Sequence, residues 1–259
     1  MPLHLEAIMP EAPDADLLSE LLSGCLDPPD AVLQSPDGRI LHPAAWMRDA
    51  ASGQRVGKFV FTFAQDPEDR SLDLLDADIT LDGGDMTPLR FLRKLPGSSD
   101  ANEYYDVEAE AEGQRLQIET VNRGAAAKAE LTDEALEVRA CAFPFRLEVY
   151  PDLAAFHASF TGSDVQFSET FAAPGSLTWG APEEGEAFSI LLGTVERFRD
   201  VTVRFGSRCL SFTVILARTA LGLLPVAASR AVFDGLDTLA PGNVLFLYAN
   251  IKADLAPAQ

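Results

Sequence analysis

FSILLGTVERFRDVTVR, residues 188–204, is the stretch whose reading decides the fold. Apolar and polar positions alternate along much of it, the period of a strand with one buried face. It is far longer than the usual strand of about 5–6 residues, and Gly193 stands inside it. A glycine within a strand permits a bend or the close approach of another backbone, so this strand can coil. Gly206 and Ser207 turn the chain into a second run, Leu210–Thr219, and Gly222 turns it again into Leu223–Ala228. A short helix is expected over Ala231–Leu236. Pro241-Gly242 then leads into Val244–Ile251.

Three strands, a short helix and a strand, opened by a long strand with an interior glycine, resemble the OB-fold, a small five-stranded Greek-key barrel. The resemblance covers residues 184–259 and is one of topology, without a diagnostic motif. It implies a closed barrel, and it departs from the pattern in one respect. Val244 to Leu255 runs on without a turn, so the fifth strand is not found in this segment.

Upstream lies a break in composition, which the charge sharpens. Pro174-Gly175 and the run from Gly180 to Gly185 read as a linker. From Glu184 onward seven basic side chains balance seven acidic ones, so the net charge of −20 belongs to the first 183 residues. The expected organisation is an N-terminal extension with a short helix (1–35), an acidic β-rich domain (36–178) and the OB-like barrel (184–259), together a mainly β fold. Leucines 17, 18, 21 and 22 mark the helix, which Pro28-Pro29 ends. Ser35–Gly38 is a turn signal leading into a short strand, Arg39–His42.

Within the acidic part, VGKFVFTFA (56–64) places Phe59, Phe61 and Phe63 on one face. Leu75–Leu81 alternates Ala77, Ile79 and Leu81 with Asp76, Asp78 and Thr80, and Asp82-Gly83-Gly84-Asp85 turns the chain. PLRFLRKL (88–95), helix or strand, carries a basic cluster of Arg90, Arg93 and Lys94. Tyr104–Asn122 reads as a hairpin about Gly113, with Asp106, Glu108, Glu110 and Glu112 in one row. Leu136–Tyr150 is a long strand broken by Pro144, which requires an edge or a bulge. No internal repeat stands out.

Composition excludes several classes. Apolar residues make up 47% of the chain, which rules out a disordered polymer. A −20 protein repels phosphate backbones and anionic lipid, so nucleic acid and membrane are disfavoured as partners. Three scattered cysteines, Cys25, Cys141 and Cys209, fit a reducing compartment and a cytoplasmic location. The N-terminus lacks a basic region followed by an apolar run. Cys209–Ser229 approaches membrane-spanning length, but Arg218, Gly222 and Pro225 interrupt it, and two adjacent buried strands explain it better.

Among chemical motifs, the acidic set Asp76, Asp78, Asp82 and Asp85 offers oxygens of the kind that calcium or another divalent cation takes. An EF-hand register starting at Asp78 fails, because its twelfth position is Leu89. The plain alternative puts Asp76 and Asp78 on the wet face of a strand. The three histidines have no zinc spacing, and neither GxSxG, GxxxxGK[ST] nor GxGxxG occurs. No other cofactor is expected. Arg197, Arg199, Arg204 and Arg208 lie on or near the long strand and could bind a partner, including the acidic rows of this chain or a second copy. With Phe198, Phe205, Phe212, Phe246 and Tyr248 they could also follow a single-stranded nucleic acid. The acidic row from Asp106 to Glu112 reads as a solvated edge strand protected by charge. The leading expectation is a non-enzymatic binding or assembly module. The alternatives are a hydrolase using carboxylates or a divalent cation, and a single-strand nucleic-acid binder.

Overall fold

A computed structural model describes residues 7–9, 15–26, 29–34, 39–96, 98, 103–110, 113–121, 134–160, 167–175, 187–205 and 208–255. The protein is mainly β. The turn signals at 35–38 and 206–207, the Gly180–Gly185 linker and Glu112 lie outside the described residues.

The leucine-marked helix is present as α1 (Ala15–Leu26). Four antiparallel strands follow as one sheet in sequence order: β1 (Ala31–Gln34), β2 (Ile40–Arg48), β3 (Arg55–Gln65) and β4 (Leu72–Leu81). The DGGD segment then carries the chain into a second sheet. Gly84 permits the crossing: a Cβ there would lie 2.7 Å from Pro225 Cδ and 2.9 Å from the Leu223 carbonyl oxygen.

The second sheet holds β5 (Met86–Lys94), β6 (Glu103–Ala109), β7 (Gln114–Thr120), β8 (Ala135–Tyr150), β9 (Ala172–Pro174), β10 (Ser189–Phe205), β11 (Arg208–Thr219), β12 (Gly222–Ala228) and β13 (Val244–Leu255). The 88–95 stretch is therefore strand. The membrane-length run 209–229 is two paired strands, β11 and β12, and no helix among the described residues is long and apolar enough to cross a membrane. Helix is absent from Ala231–Leu236; the connection has one 3-10 turn, Leu236–Thr238.

Two units follow one plan. In each, three strands form an antiparallel meander (β5-β6-β7 and β10-β11-β12) and a fourth returns to pair antiparallel with the first (β8 with β5, β13 with β10). The two fourth strands run antiparallel along each other as a ribbon, from Val244↔Tyr150 to Leu255↔Val138. Each third strand then pairs in parallel with the fourth strand of the other unit: β7 with β13 at Glu119↔Lys252, and β12 with β8 at Val226↔Ala142. The pairings therefore close two five-stranded circuits that share the β8–β13 ribbon. Even the irregularities correspond, since both first strands have a register shift, at Phe91/Arg93 and at Val195/Arg197.

Gly193 sits where β10 changes partner. Ser189–Gly193 pairs with β13, and Thr194 onward pairs with β11. A Cβ at Gly193 would lie 2.7 Å from Thr219 Cγ2 and 2.9 Å from the Arg218 carbonyl oxygen, so the close approach of β11 requires glycine. At Pro144 the ribbon bulges: Tyr248 faces Arg146 and Ala249 faces Pro144, leaving Phe145 between them, half exposed.

The four-stranded sheet packs on the ribbon, with β4 reaching β8, β12 and β13 and α1 reaching β2, β3 and β10. Phe59, Phe61, Phe63, Ala77, Ile79 and Leu81 join the main core with Val138, Cys141, Val214 and Leu247. A second, aromatic cluster lies on another side of β10 and β13, where Phe156 of α2 (Leu153–Ser159) packs with Phe160, Phe167 and Phe246. Asp152 caps that helix by accepting the Ala155 amide at 2.7 Å.

Candidate functional site

Asp76 and Asp78 leave the same face of β4, two residues apart. That face is not wet. Asp76 is 2% exposed and Asp78 4%, because both faces of this half of β4 are covered. Ala77, Ile79 and Leu81 enter the main core, while the aspartates meet β7 and β13. Alternation was a sound sign of a strand but gave the wrong surroundings, since polar residues on one face do not require water when charged partners are buried with them.

Those partners are Glu119 and Lys252, each 1% exposed, neither of which the sequence reading singles out. Lys252 stands opposite Glu119 in the parallel β7–β13 contact. Its Nζ lies 2.5 Å from Asp78 Oδ1 and 2.6 Å from Glu119 Oε2. One oxygen each of Asp76, Asp78 and Glu119 lie within 4.8 Å of one another, a spacing that could hold a metal ion; any such ion would share the space with the ammonium. Burial raises the Asp76 carboxyl to about 8, the Asp78 and Glu119 charges adding to the effect and Lys252 opposing it. Burial alone would push the Lys252 ammonium down, but the two carboxylates outweigh it and the net shift is upward. Near neutral pH Asp76 therefore keeps its proton while Lys252 is held as the ammonium. At the corresponding crossing of the other unit Val226 faces Ala142, both buried and apolar. The charged group thus breaks the correspondence between the two units.

Asp82 and Asp85 stand apart from it. Asp82 pairs with Arg55 at 2.5 Å near the surface. Asp85 accepts the Leu223 amide at 2.8 Å and so pins the β11–β12 hairpin.

The arginines divide as well. Arg197 and Arg199 are exposed, two residues apart on β10, and line a pocket of ≈310 Å³ with Phe198, Val214 and Leu216. Gln54, from the turn before β3, and Asp82 and Gly83, from the crossing after β4, also line it. Arg199 donates to Gln54 Oε1 at 2.8 Å. Arg197 makes no ion pair among the described residues. Arg204 and Arg208, at the far end of the hairpin, do not line the pocket. Phe212, Phe246 and Tyr248 are buried and Phe198 packs against the main core, so these rings are engaged within the protein.

The acidic row of β6 is no edge. β6 lies between β5 and β7, and its acids face the basic cluster. Arg90 pairs with Glu108, Arg93 with Asp106 at 2.5 Å and Lys94 with Glu103 at 3.0 Å, while Arg115 of β7 reaches Glu108 at 3.7 Å. These acids are therefore matched inside their own sheet rather than by the β10 arginines. Comparison with protein-family models, curated proteins and solved structures returned no match to this chain.

Proposed function

We propose that the protein is a non-enzymatic binding or assembly module whose contact site is the Arg197–Arg199 pocket. The observation that supports this is an exposed guanidinium at Arg197, without an ion pair among the described residues, beside the apolar lining of Val214 and Leu216. The pocket's size suits one or two side chains of a protein partner. Guanidinium groups bind carboxylates through paired hydrogen bonds, so a segment carrying a carboxylate beside an apolar group is the matching chemistry. The frame that presents it follows OB topology in permuted order. β10, β11, β12 and β13 take the first four places, with the 3-10 turn where that fold has its helix, and β8 supplies the fifth strand, parallel to β12 and antiparallel to β13.

A hydrolase centred on Asp76 and Asp78 is disfavoured because those carboxylates do not face solvent. A nucleic-acid role is disfavoured because the net charge of −20 opposes a phosphate chain. The test is an amide NMR titration with a short capped glutamate–leucine peptide, repeated with a lysine–leucine peptide and a single-stranded oligonucleotide. Shifts confined to residues 54, 82–83, 197–199 and 214–216, produced by the acidic peptide and lost in Arg197→Glu, are expected. Equal shifts from the basic peptide, or none from the acidic one, overturn the reading. Shifts from the oligonucleotide alone move the assignment to nucleic acid.

A further inference from the structure

We propose that Lys252 and Asp78 condense into an intramolecular amide that staples β13 to β4, with Glu119 carrying the proton. Three observations make this more than an ion pair. The amine nitrogen is in direct contact with the acid, at 2.5 Å from Asp78 Oδ1, so the carbon it would attack is one bond further on. The site is dry, with side-chain exposures of 1% for Lys252, 3% for Asp78 and 1% for Glu119. A second carboxylate, Glu119, touches the same nitrogen at 2.6 Å. The three side chains come from three strands of two sheets, so the fold itself holds them together.

The chemistry balances within the chain. In water an amine and a carboxylic acid exist as ions, and the ions do not condense. Burial favours the neutral pair, because charge is costly where water is excluded; the carboxylates around Lys252 oppose it, so the neutral pair is the minor form from which condensation proceeds. One proton passes from Lys252 Nζ to Asp78, giving the neutral amine and the neutral acid, and Glu119 takes a second proton from nitrogen as the freed lone pair attacks Asp78 Cγ. Glu119 returns that proton to the departing hydroxyl as the Cγ–O bond breaks. One molecule of water leaves, and an Nζ–Cγ amide remains. Nothing is oxidised or reduced, and no co-reactant is needed. Asp76, which keeps its proton near neutral pH, has an oxygen within 4.8 Å of one on Asp78 and so adds no further negative charge beside the oxygen on which charge develops. Holding the reactants in place supplies the entropic part of the barrier, for which effective molarities of about 10⁵ M and above are known.

The protein contains its own control. Lys58 Nζ and Asp254 Oδ2 are also 2.5 Å apart, but at side-chain exposures of 10% and 16% they keep contact with water, and that pair stays ionic.

Intact-mass spectrometry of the folded full chain decides the matter. The expected mass is that of the sequence less one water, and tandem spectra of a digest join the peptide containing Lys252 to the one containing Asp78. Lys252→Met and Asp78→Ala should each restore the full mass, and Glu119→Gln should slow the loss at least tenfold when the chain is refolded from denaturant. The wild-type mass alone tests the proposal should those variants fail to fold. A full sequence mass in folded wild-type protein overturns it. So does a water loss mapped elsewhere, including a Lys252–Glu119 or a Lys58–Asp254 link. An unchanged rate in folded Glu119→Gln removes Glu119 from the proton path.

Discussion

Replacing Asp76 by asparagine should make the protein more stable than the wild type as pH rises. The Asp76 carboxyl has an ordinary value of 3.8, and burial lifts it to about 8 in the folded chain. Between those values the folded state holds a proton that the unfolded state has released. Each pH unit in that window therefore removes about 1.4 kcal/mol of folding free energy from the wild type through this one group. The contribution is fully present below pH 3.8, falls as pH rises and is exhausted above about pH 8. The asparagine of Asp76→Asn is neutral throughout and resembles the protonated acid in shape, so the variant lacks this slope. From pH 6 to 7.5 the stability difference between variant and wild type should widen by roughly 2 kcal/mol, in favour of the variant. Burial, the leading cause of the shift, persists whether or not Lys252 and Asp78 have condensed. Urea unfolding of both proteins at half-unit pH intervals from 5 to 9 measures the difference and cancels the pH dependence of all other groups. Parallel curves across that range would refute the argument and place Asp76 as an ordinary ionised acid.

Two further outcomes follow from the packing. Gly193→Ala should lower stability by about 1–3 kcal/mol, the usual cost of overpacking, because its Cβ would fall 2.7 Å from Thr219 Cγ2; calorimetry reads this as a lower melting temperature, and an unchanged value would show that β11 can retreat. Cys209 is exposed while Cys141 is buried, its thiol pushed up to about 12 by that burial. A thiol reagent applied to native protein should therefore label Cys209 well before Cys141, as peptide mapping would show, and comparable rates would mean that the ribbon opens readily.

What could be read from the sequence was local. The β6–β7 hairpin declares itself through the alternation of Tyr105, Val107 and Ala109 about Gly113, and each proves buried on schedule. Gly193 and Pro144 both marked real departures from a regular ladder. What could not be read was pairing between distant segments. The neighbour of β12 beyond its own meander is β8, which precedes it in the chain and meets it at the single pair Val226↔Ala142. The two-unit plan is invisible for the same reason: it resides in who pairs with whom, and the paired residues need share only burial. The hydrogen-bonded sheet continues through β8–β13 from one unit to the other, across the compositional break at 175–184. At the charged group, the available signal was Lys252 itself, a lone cation in the apolar run VLFLYANIKADL. A lysine on a strand buried on both faces demands a buried acid, and Asp76 and Asp78, set among the apolar residues of LDLLDADITL, are acids of that kind.

The shared ribbon also sets the order of events at the ribosome. Each circuit borrows its closing strand from the other, and both depend on β13, so neither can be completed while Val244–Leu255 is still being synthesised. The first unit must wait, half built, with the apolar edge of β8 unpaired on that side, until the chain has grown from Tyr150 to Leu255. Chains of this kind fold late and slowly, since loop closure over long separations precedes any reward, and they lean on protection during the wait. The net charge of −20 concentrated in the first 183 residues acts throughout that wait, since like-charged unfinished copies repel one another.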